Sequence, residues 1–228
     1  MWRDTSTWAA EAVAVFAKEW RSELRTRYGL NTLGLFAFTT LVVVSVSLGP
    51  LGVSLAQGTA VLPVLLWIIL LFSAAAGLPR AFVHEEETQT ATALRLAATP
   101  SALFCGKLLY GLTLTFALEL LVTPLYLAMT SLTVKSPGLL AGVLAAGGFG
   151  LAAGSTLVAA IIAQARAKGT LFSVLAFPVL LPLLLIAVEL SRGAVAGDPA
   201  DVALLQLLLY DASVTVAGFM LFPVVWNP

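Results

Sequence analysis

The chain has 228 residues, of which 60% are hydrophobic and only 11% charged, with a mean hydropathy of +0.99. Soluble domains carry about 25% charged residues, so a water-soluble fold is excluded. Twelve Lys and Arg balance twelve Asp and Glu, which removes the net positive field that nucleic acid requires, and the single Cys105 excludes an internal disulfide framework and a cysteine-based metal cluster.

Charged residues fill the chain up to about residue 30, so the start does not read as a cleaved signal peptide and the amino terminus is expected on the mature protein. Within residues 1–30, Trp8, Ala12, Val13, Phe16, Trp20 and Leu24 fall on one helical face, with Glu11, Lys18, Arg21, Glu23 and Arg25 mostly elsewhere. That pattern predicts an amphipathic helix in the membrane interface, either a plain anchor or an elbow that also supports a cytoplasmic partner. Six apolar runs follow, at about 31–49, 61–82, 103–131, 138–163, 170–189 and 203–226. Each is near the roughly 20 residues that cross about 30 Å of hydrocarbon. No alternating pattern suggests a β-barrel, and helices pair their own backbone groups in lipid. The expected fold is therefore all-α and polytopic, with six transmembrane helices.

Orientation follows from the basic residues. Arg3, Lys18, Arg21, Arg25, Arg27, Arg80, Arg95, Lys107, Arg166 and Lys168 share one side, against Lys135 and Arg192 on the other. The positive-inside rule places both termini in the cytoplasm, together with the polar insert between spans 2 and 3. That insert, "VHEEETQTATALRLAATP" at 83–100, holds three consecutive glutamates and the only histidine.

Span 3 carries a polar stripe at helical spacing, Thr115, Glu119, Thr123 and Tyr126. A mid-span acid costs about 2.5–3.5 kcal/mol to insert, so Glu119 is expected to face the bundle interior or water. The stripe either lines a path or closes an interhelical contact. Asp211, beside Tyr210 in span 6, reads either as a second buried acid or as a shallow residue that meets interfacial water or caps a helix start. Span 4 pairs Gly138 with Gly142 and Gly150 with Gly154 at GxxxG spacing, a close-packing signal. Pro178 and Pro182 in span 5 predict a kink or a broken helix.

Catalytic patterns are missing. "HEEET" has no second histidine for a zinc site, "GKLL" lacks the glycine loop and the Ser or Thr of a P-loop, and there is no GxSxG elbow. His84 reads as a solvated residue in an acidic loop rather than a haem ligand. No metal site and no catalytic residue is expected, and ATP hydrolysis would have to come from another chain.

The landmarks "KEWRSELRTRYGLNTLGLFAFTTLVVVSVSLGP", "EEETQTATALRLAATPSALFCGKLL", "LELLVTPLY" and "FPVLLPLLLIAVEL" resemble, in order and spacing, the CcmB family. This family supplies the permease subunit of the haem exporter of cytochrome c maturation. The most specific elements are the segment ending at Pro100 followed by Gly106 and Lys107, and the paired prolines. The resemblance implies one ABC-2-like transmembrane domain over residues 1–228 in the bacterial cytoplasmic (inner) membrane. It further implies a homodimer paired with a separate ATP-binding subunit of CcmA type, with haem-handling membrane subunits of CcmC and CcmD type and a haem chaperone of CcmE type. Haem is then cargo, with no cofactor held by this chain, and the protein is no enzyme.

On the same resemblance, residues 83–100 form a coupling helix seated in a groove of the ATPase. Ala91, Leu94 and Ala98 would supply its docking face, Glu85, Glu86, Glu87 and Arg95 its charge complementarity, and Pro100 its end. The insert departs from the family in reading "TQTATALRLAATP", without the usual glycine and second acid before the leucine run. The five tryptophans, at 2, 8, 20, 67 and 226, do not form the tryptophan-rich motif of the haem-handling partner. Two other readings stand beside haem export: an ABC-2 permease for a lipid or drug, and an intramembrane enzyme built on Glu119 or Asp211.

Overall fold

A computed structural model of the chain describes residues 5–48, 55–78, 85, 94, 96–163, 168–198 and 201–226. Its seven long helices are α1 (Thr5–Thr26), α2 (Tyr28–Leu48), α3 (Leu55–Gly77), α4 (Pro100–Thr130), α5 (Pro137–Ala163), α6 (Lys168–Ala196) and α7 (Asp201–Trp226). There is no strand among the described residues. Helices α2 to α7 each hold a stretch of 18 to 31 residues long and apolar enough to cross a membrane. The chain is an all-α, multi-pass membrane protein, as its apolar runs predict.

The burial pattern follows from an apolar solvent. Leu33, Ala37, Leu41 and Ser45 form one buried stripe along α2 at four-residue spacing, while Leu35, Phe36, Phe38, Val43 and Val46 point outward. Such outward residues would be costly in water and suit lipid. Helix α5 is the exception, because 83% of its apolar window is buried, which makes it the central helix. Its small residues permit this: the Trp67 ring of α3 lies directly over Gly147, and its Nε1 donates to Ser191 Oγ of α6 at 2.9 Å. Gly154 lies under Leu180 of α6. Of the two GxxxG pairs, Gly150 and Gly154 pack against neighbouring helices, whereas at Gly138 and Gly142 a Cβ would meet nothing within 4 Å among the described residues.

Helix α6 runs unbroken through Pro178 and Pro182, so the broken helix expected there does not occur. Both proline side chains are exposed, and the Tyr210 hydroxyl of α7 donates to the Val179 carbonyl within that turn. A neighbouring helix thus ties down the proline-bearing segment, which is how such residues persist in apolar bundles.

The boundary between α1 and α2 sits at Arg27, whose φ of 53° places it in the left-handed region. The Glu23 carboxylate makes this turn possible, because its Oε1 accepts from the Leu30 N–H at 2.7 Å. A carboxylate at a helix N-terminus satisfies an orphan donor and complements the dipole. Gly29 leaves the space, since a Cβ there would stand 2.8 Å from Glu23 Oε2. The cap starts α2 at Tyr28 rather than near residue 31.

Candidate functional site

Helix α4 has 31 residues, about 46 Å at 1.5 Å per residue, well beyond the ~30 Å of a hydrocarbon core. Its first turns extend past the level where Gly111 meets Leu78 at the end of α3, and there α1 packs along them. The pairs run in register: Trp8 Nε1 donates to Ser101 Oγ at 3.0 Å, Trp20 Nε1 to Thr113 Oγ1 at 3.2 Å, and the Tyr110 hydroxyl to Glu23 Oε2 at 3.1 Å. Glu11 Oε2 accepts from the Thr99 N–H at 2.9 Å and from its hydroxyl at 2.7 Å, at the mouth of α4. The two helices are parallel over about four turns. Gly106 lets them approach, since a Cβ there would stand 2.7 Å from the Ala12 carbonyl oxygen.

The protein-facing side of α1 therefore differs from the apolar stripe expected for it. Ala12, Val15, Glu19 and Glu23 are buried, whereas Val13 and Leu24 are exposed. Trp8, Phe16 and Trp20 are half-buried along the contact. Polar residues form the seam because complementary groups on α4 wait for them.

At the centre of the seam sits a four-residue ion cluster. Lys107 Nζ lies 2.9 Å from Glu19 Oε1 and 2.9 Å from Glu85 Oε2, with its own side chain wholly buried. Lys18 Nζ reaches Glu19 Oε1 at 3.0 Å and also pairs with Glu85 Oε1. Two cations and two carboxylates from α1, α4 and the insert thus close a ring, the arrangement in which buried charges are tolerable. Burial pushes the Glu19 carboxyl up, but Lys107 and Lys18 outweigh it and hold Glu19 below its ordinary value of 4.5. For Glu85 burial prevails, aided by the like charge of Glu19, and its carboxyl lies above the ordinary value despite Lys107 and Lys18. Burial also works against the Lys18 charge, yet Glu19 and Glu85 keep it above its ordinary value.

The two carboxylates are therefore unequal. Glu19→Gln is expected to lower the melting temperature in detergent micelles, because Lys107 and Lys18 favour the charged form of Glu19; an unchanged melting temperature would contradict this. The pH dependence has the same origin. The stability from Glu19 is complete above about pH 4.5 and fades as pH falls through its lowered native value, whereas Glu85 subtracts stability as pH rises through its raised one.

Among the expected coupling residues, Glu86, Glu87, Ala91 and Arg95 lie outside the described residues, as do His84, Arg3, Arg80 and Arg166. Glu85 is not displayed for charge complementarity with another protein; it is 2% exposed, bound to α1 and α4. Leu94 and Ala98 pack against the core instead of forming an outward face, and the Ala98 N–H donates to the Leu94 carbonyl. Among the described residues of the insert, the large apolar side chain that faces outward is Leu96, 87% exposed, two positions from Leu94 and so about 200° around a helix. Pro100 opens α4 at its first turn, where its missing N–H costs nothing.

The polar stripe of α4 is buried as a set, Thr115, Glu119, Thr123 and Tyr126. Tyr126 closes an interhelical contact, its hydroxyl donating to the Leu62 carbonyl of α3 at 2.8 Å. Thr115 turns back on the Gly111 carbonyl of its own helix. Glu119 and Thr123 end in buried oxygens with no hydrogen bond among the described residues. Asp211 is no shallow cap: it lies ten residues into α7 and is 3% exposed. Among the described residues no group of three or more His, Cys, Asp or Glu side chains could hold a metal ion.

Two comparisons bear on this arrangement. The chain is 27% identical, over 185 residues, to heme exporter protein B of Bradyrhizobium diazoefficiens, covering 81% of this chain and 82% of that one. The family described as CcmB protein matches residues 10–224, a stretch that takes in the α1 seam from Glu11 on, Glu85, Lys107 and all but the last two residues of the six apolar helices. The chain belongs to the CcmB family.

Proposed function

We propose that this protein is the permease subunit of a haem exporter serving cytochrome c biogenesis, moved by a separate ATP-binding subunit of CcmA type. The observation that carries the reading is the family match across residues 10–224, joined to the relative whose name is heme exporter protein B. On this reading the protein sits in the bacterial cytoplasmic membrane with both termini and residues 83–100 inside. It forms a homodimer facing two ATP-binding subunits, works with subunits of CcmC and CcmD type, and serves a chaperone of CcmE type. The chain itself performs no catalysis.

The ion cluster gives the coupling segment a mechanical role. A partner seated on residues 83–100 grips Leu96, whose side chain is free to be covered, while Glu85 passes the displacement to α1 and α4 through Lys18 and Lys107. A buried ion ring resists separation because parting it strands charges away from water, so the segment moves with the helices. Leu94 and Ala98 key its inner side to the core.

The test is Leu96→Asp in the assembled complex. Copurification with the ATP-binding subunit is expected to fall at least tenfold, and haem loading of the chaperone with it, while the melting temperature of the isolated subunit stays unchanged. Retention of the partner by this variant would refute the docking site. Accessibility of a cysteine introduced at position 96 in a Cys105→Ser background to an impermeant reagent, in intact cells, would refute the orientation. Growth with normal cytochrome c but failure to export a lipid or drug would favour the permease reading with other cargo.

A further inference from the structure

The mechanism above leaves two acids unused, and both press on the central helix α5. Glu119 of α4 lies over Gly148 and Asp211 of α7 over Gly150, so closely that a Cβ at either glycine would collide with the carboxyl group. Two residues along a helix are about 3 Å of rise and about 200° of rotation. The acids therefore sit at nearly one depth on opposite flanks of α5, each in a notch that only glycine leaves open.

Among the described residues their surroundings supply no counter-charge. Glu119 is 6% exposed and Asp211 3%; Glu119 Oε1 and both Asp211 oxygens accept no hydrogen bond among the described residues. On α4 itself, Thr115 donates to the Gly111 carbonyl and the Thr123 hydroxyl has no partner among the described residues. On α5, Thr156 donates to the Ala152 carbonyl, and the Trp67 indole from α3 is committed to Ser191. On α7, Tyr210 gives its proton to Val179 and Thr215 to the Asp211 carbonyl, not to the carboxylate. From α6, Leu183 faces the Gly150 notch. No described lysine or arginine pairs with either acid: Lys18 and Lys107 are held by Glu19 and Glu85, and Arg192 by Glu189 and the Ala60 carbonyl.

A carboxylate ion buried without donor or cation is among the costliest groups a fold can hold, whereas a carboxyl that carries its proton is a modest polar group. We propose that Glu119 and Asp211 are a pair of proton-binding sites flanking α5 in the middle of the bundle. In the arrangement seen here each holds a proton, and releasing it requires water or a cation to enter beside α5. The pair thus ties the proton count of the bundle to whether α5 is sealed against α4 and α7. The inference does not depend on the cargo or on the ATP-binding partner.

Dicyclohexylcarbodiimide tests it in membrane vesicles bearing the whole complex, because the reagent partitions into apolar regions and adds as an intact molecule to a protonated carboxyl, leaving a stable N-acylurea with no leaving group. Mass spectrometry of the digested chain is expected to find both Glu119 and Asp211 modified at pH 7, with modification falling at least tenfold between pH 6 and pH 10. The exposed Glu189 and Asp198 are expected to stay unmodified at pH 7. Neutral, nearly isosteric Glu119→Gln and Asp211→Asn are expected to assemble normally at pH 7 and to abolish labelling at the changed position only. Absence of label on both acids at pH 6 overturns the proposal, and label on one alone overturns the pairing. A fall of the melting temperature at pH 7 in both neutral variants would show that the ionised forms are the native ones, which also overturns it. If a variant fails to assemble, the labelling of the unaltered chain decides.

Discussion

Lys107→Ala is expected to destabilise the protein by about 3–5 kcal/mol, the cost typical of removing one partner from a buried ion pair. Its side chain has no exposure to water and lies 2.9 Å from both Glu19 and Glu85. Without it, two carboxylates face each other with only the half-exposed Lys18 between them. The measurement is thermal unfolding in detergent micelles, together with limited proteolysis of α1, which should be cleaved at rates several-fold above those of the unaltered protein. Adding Glu19→Gln and Glu85→Gln to Lys107→Met should restore most of the loss, because the one charge then left, on Lys18, is 42% exposed and can be solvated rather than stranded. A loss below about 1 kcal/mol for Lys107→Ala, within the range of an exposed pair, would mean that the cluster is open to water.

Gly106→Val should have the next largest effect. A Cβ at Gly106 meets the Ala12 carbonyl oxygen and the Val15 Cβ, both at 2.7 Å, and neither is a flexible side-chain tip that can swing away. Overpacking of this kind costs about 1–3 kcal/mol, and here relief comes only by lifting α1 from α4. The expected result is a lower melting temperature with a shifted tryptophan emission, since Trp8 and Trp20 lose their bonds to Ser101 and Thr113. Gly111→Ala serves as the control. Its nearest neighbour would be Thr156 Oγ1 at 3.4 Å, an ordinary contact, so it should not destabilise, Ala being favoured over Gly in a helix interior by about 1 kcal/mol. Equal effects at the two glycines would remove the seam as the reason for Gly106.

The six crossing helices were legible because length and hydropathy alone define them, and lipid removes most alternatives. The ends were legible only where local chemistry signalled them. Pro100 marks the start of α4 at its first turn, but the start of α2 at Tyr28 depends on Glu23 folding back over an N-terminus seven residues on. The α1 seam was misread for a related reason. A helical wheel assigns charged residues to water, and Glu19 goes inside only because Lys107, 88 positions away, is there to meet it. The landmark Gly106 and Lys107 was visible as a pattern without its cause, which is close approach at one residue and charge at the next.

The insert misled in the same way. Leu94 and Ala98, assigned with Ala91 to a docking face on the resemblance, face the core and leave Leu96 outside; nothing local distinguishes the two sides of so short an amphipathic turn. Asp211 looked shallow when depth was counted from an assumed helix start at residue 203. The helix begins at Asp201, and the notch at Gly150 that receives the carboxyl belongs to another helix.

The overhang of α4 makes that helix a lever. A bilayer grips about 30 Å of its roughly 46 Å, so the arm carrying Lys107 is about half as long as the arm reaching through the hydrocarbon. Any tilt imposed where α1 and Glu85 hold the short arm swings the opposite end through a wider arc, and that end is where Tyr126 is moored to α3. For a rigid rod pivoting at the membrane face, a displacement of the short arm is magnified about twofold at the far end, with the gearing set by the length of one helix.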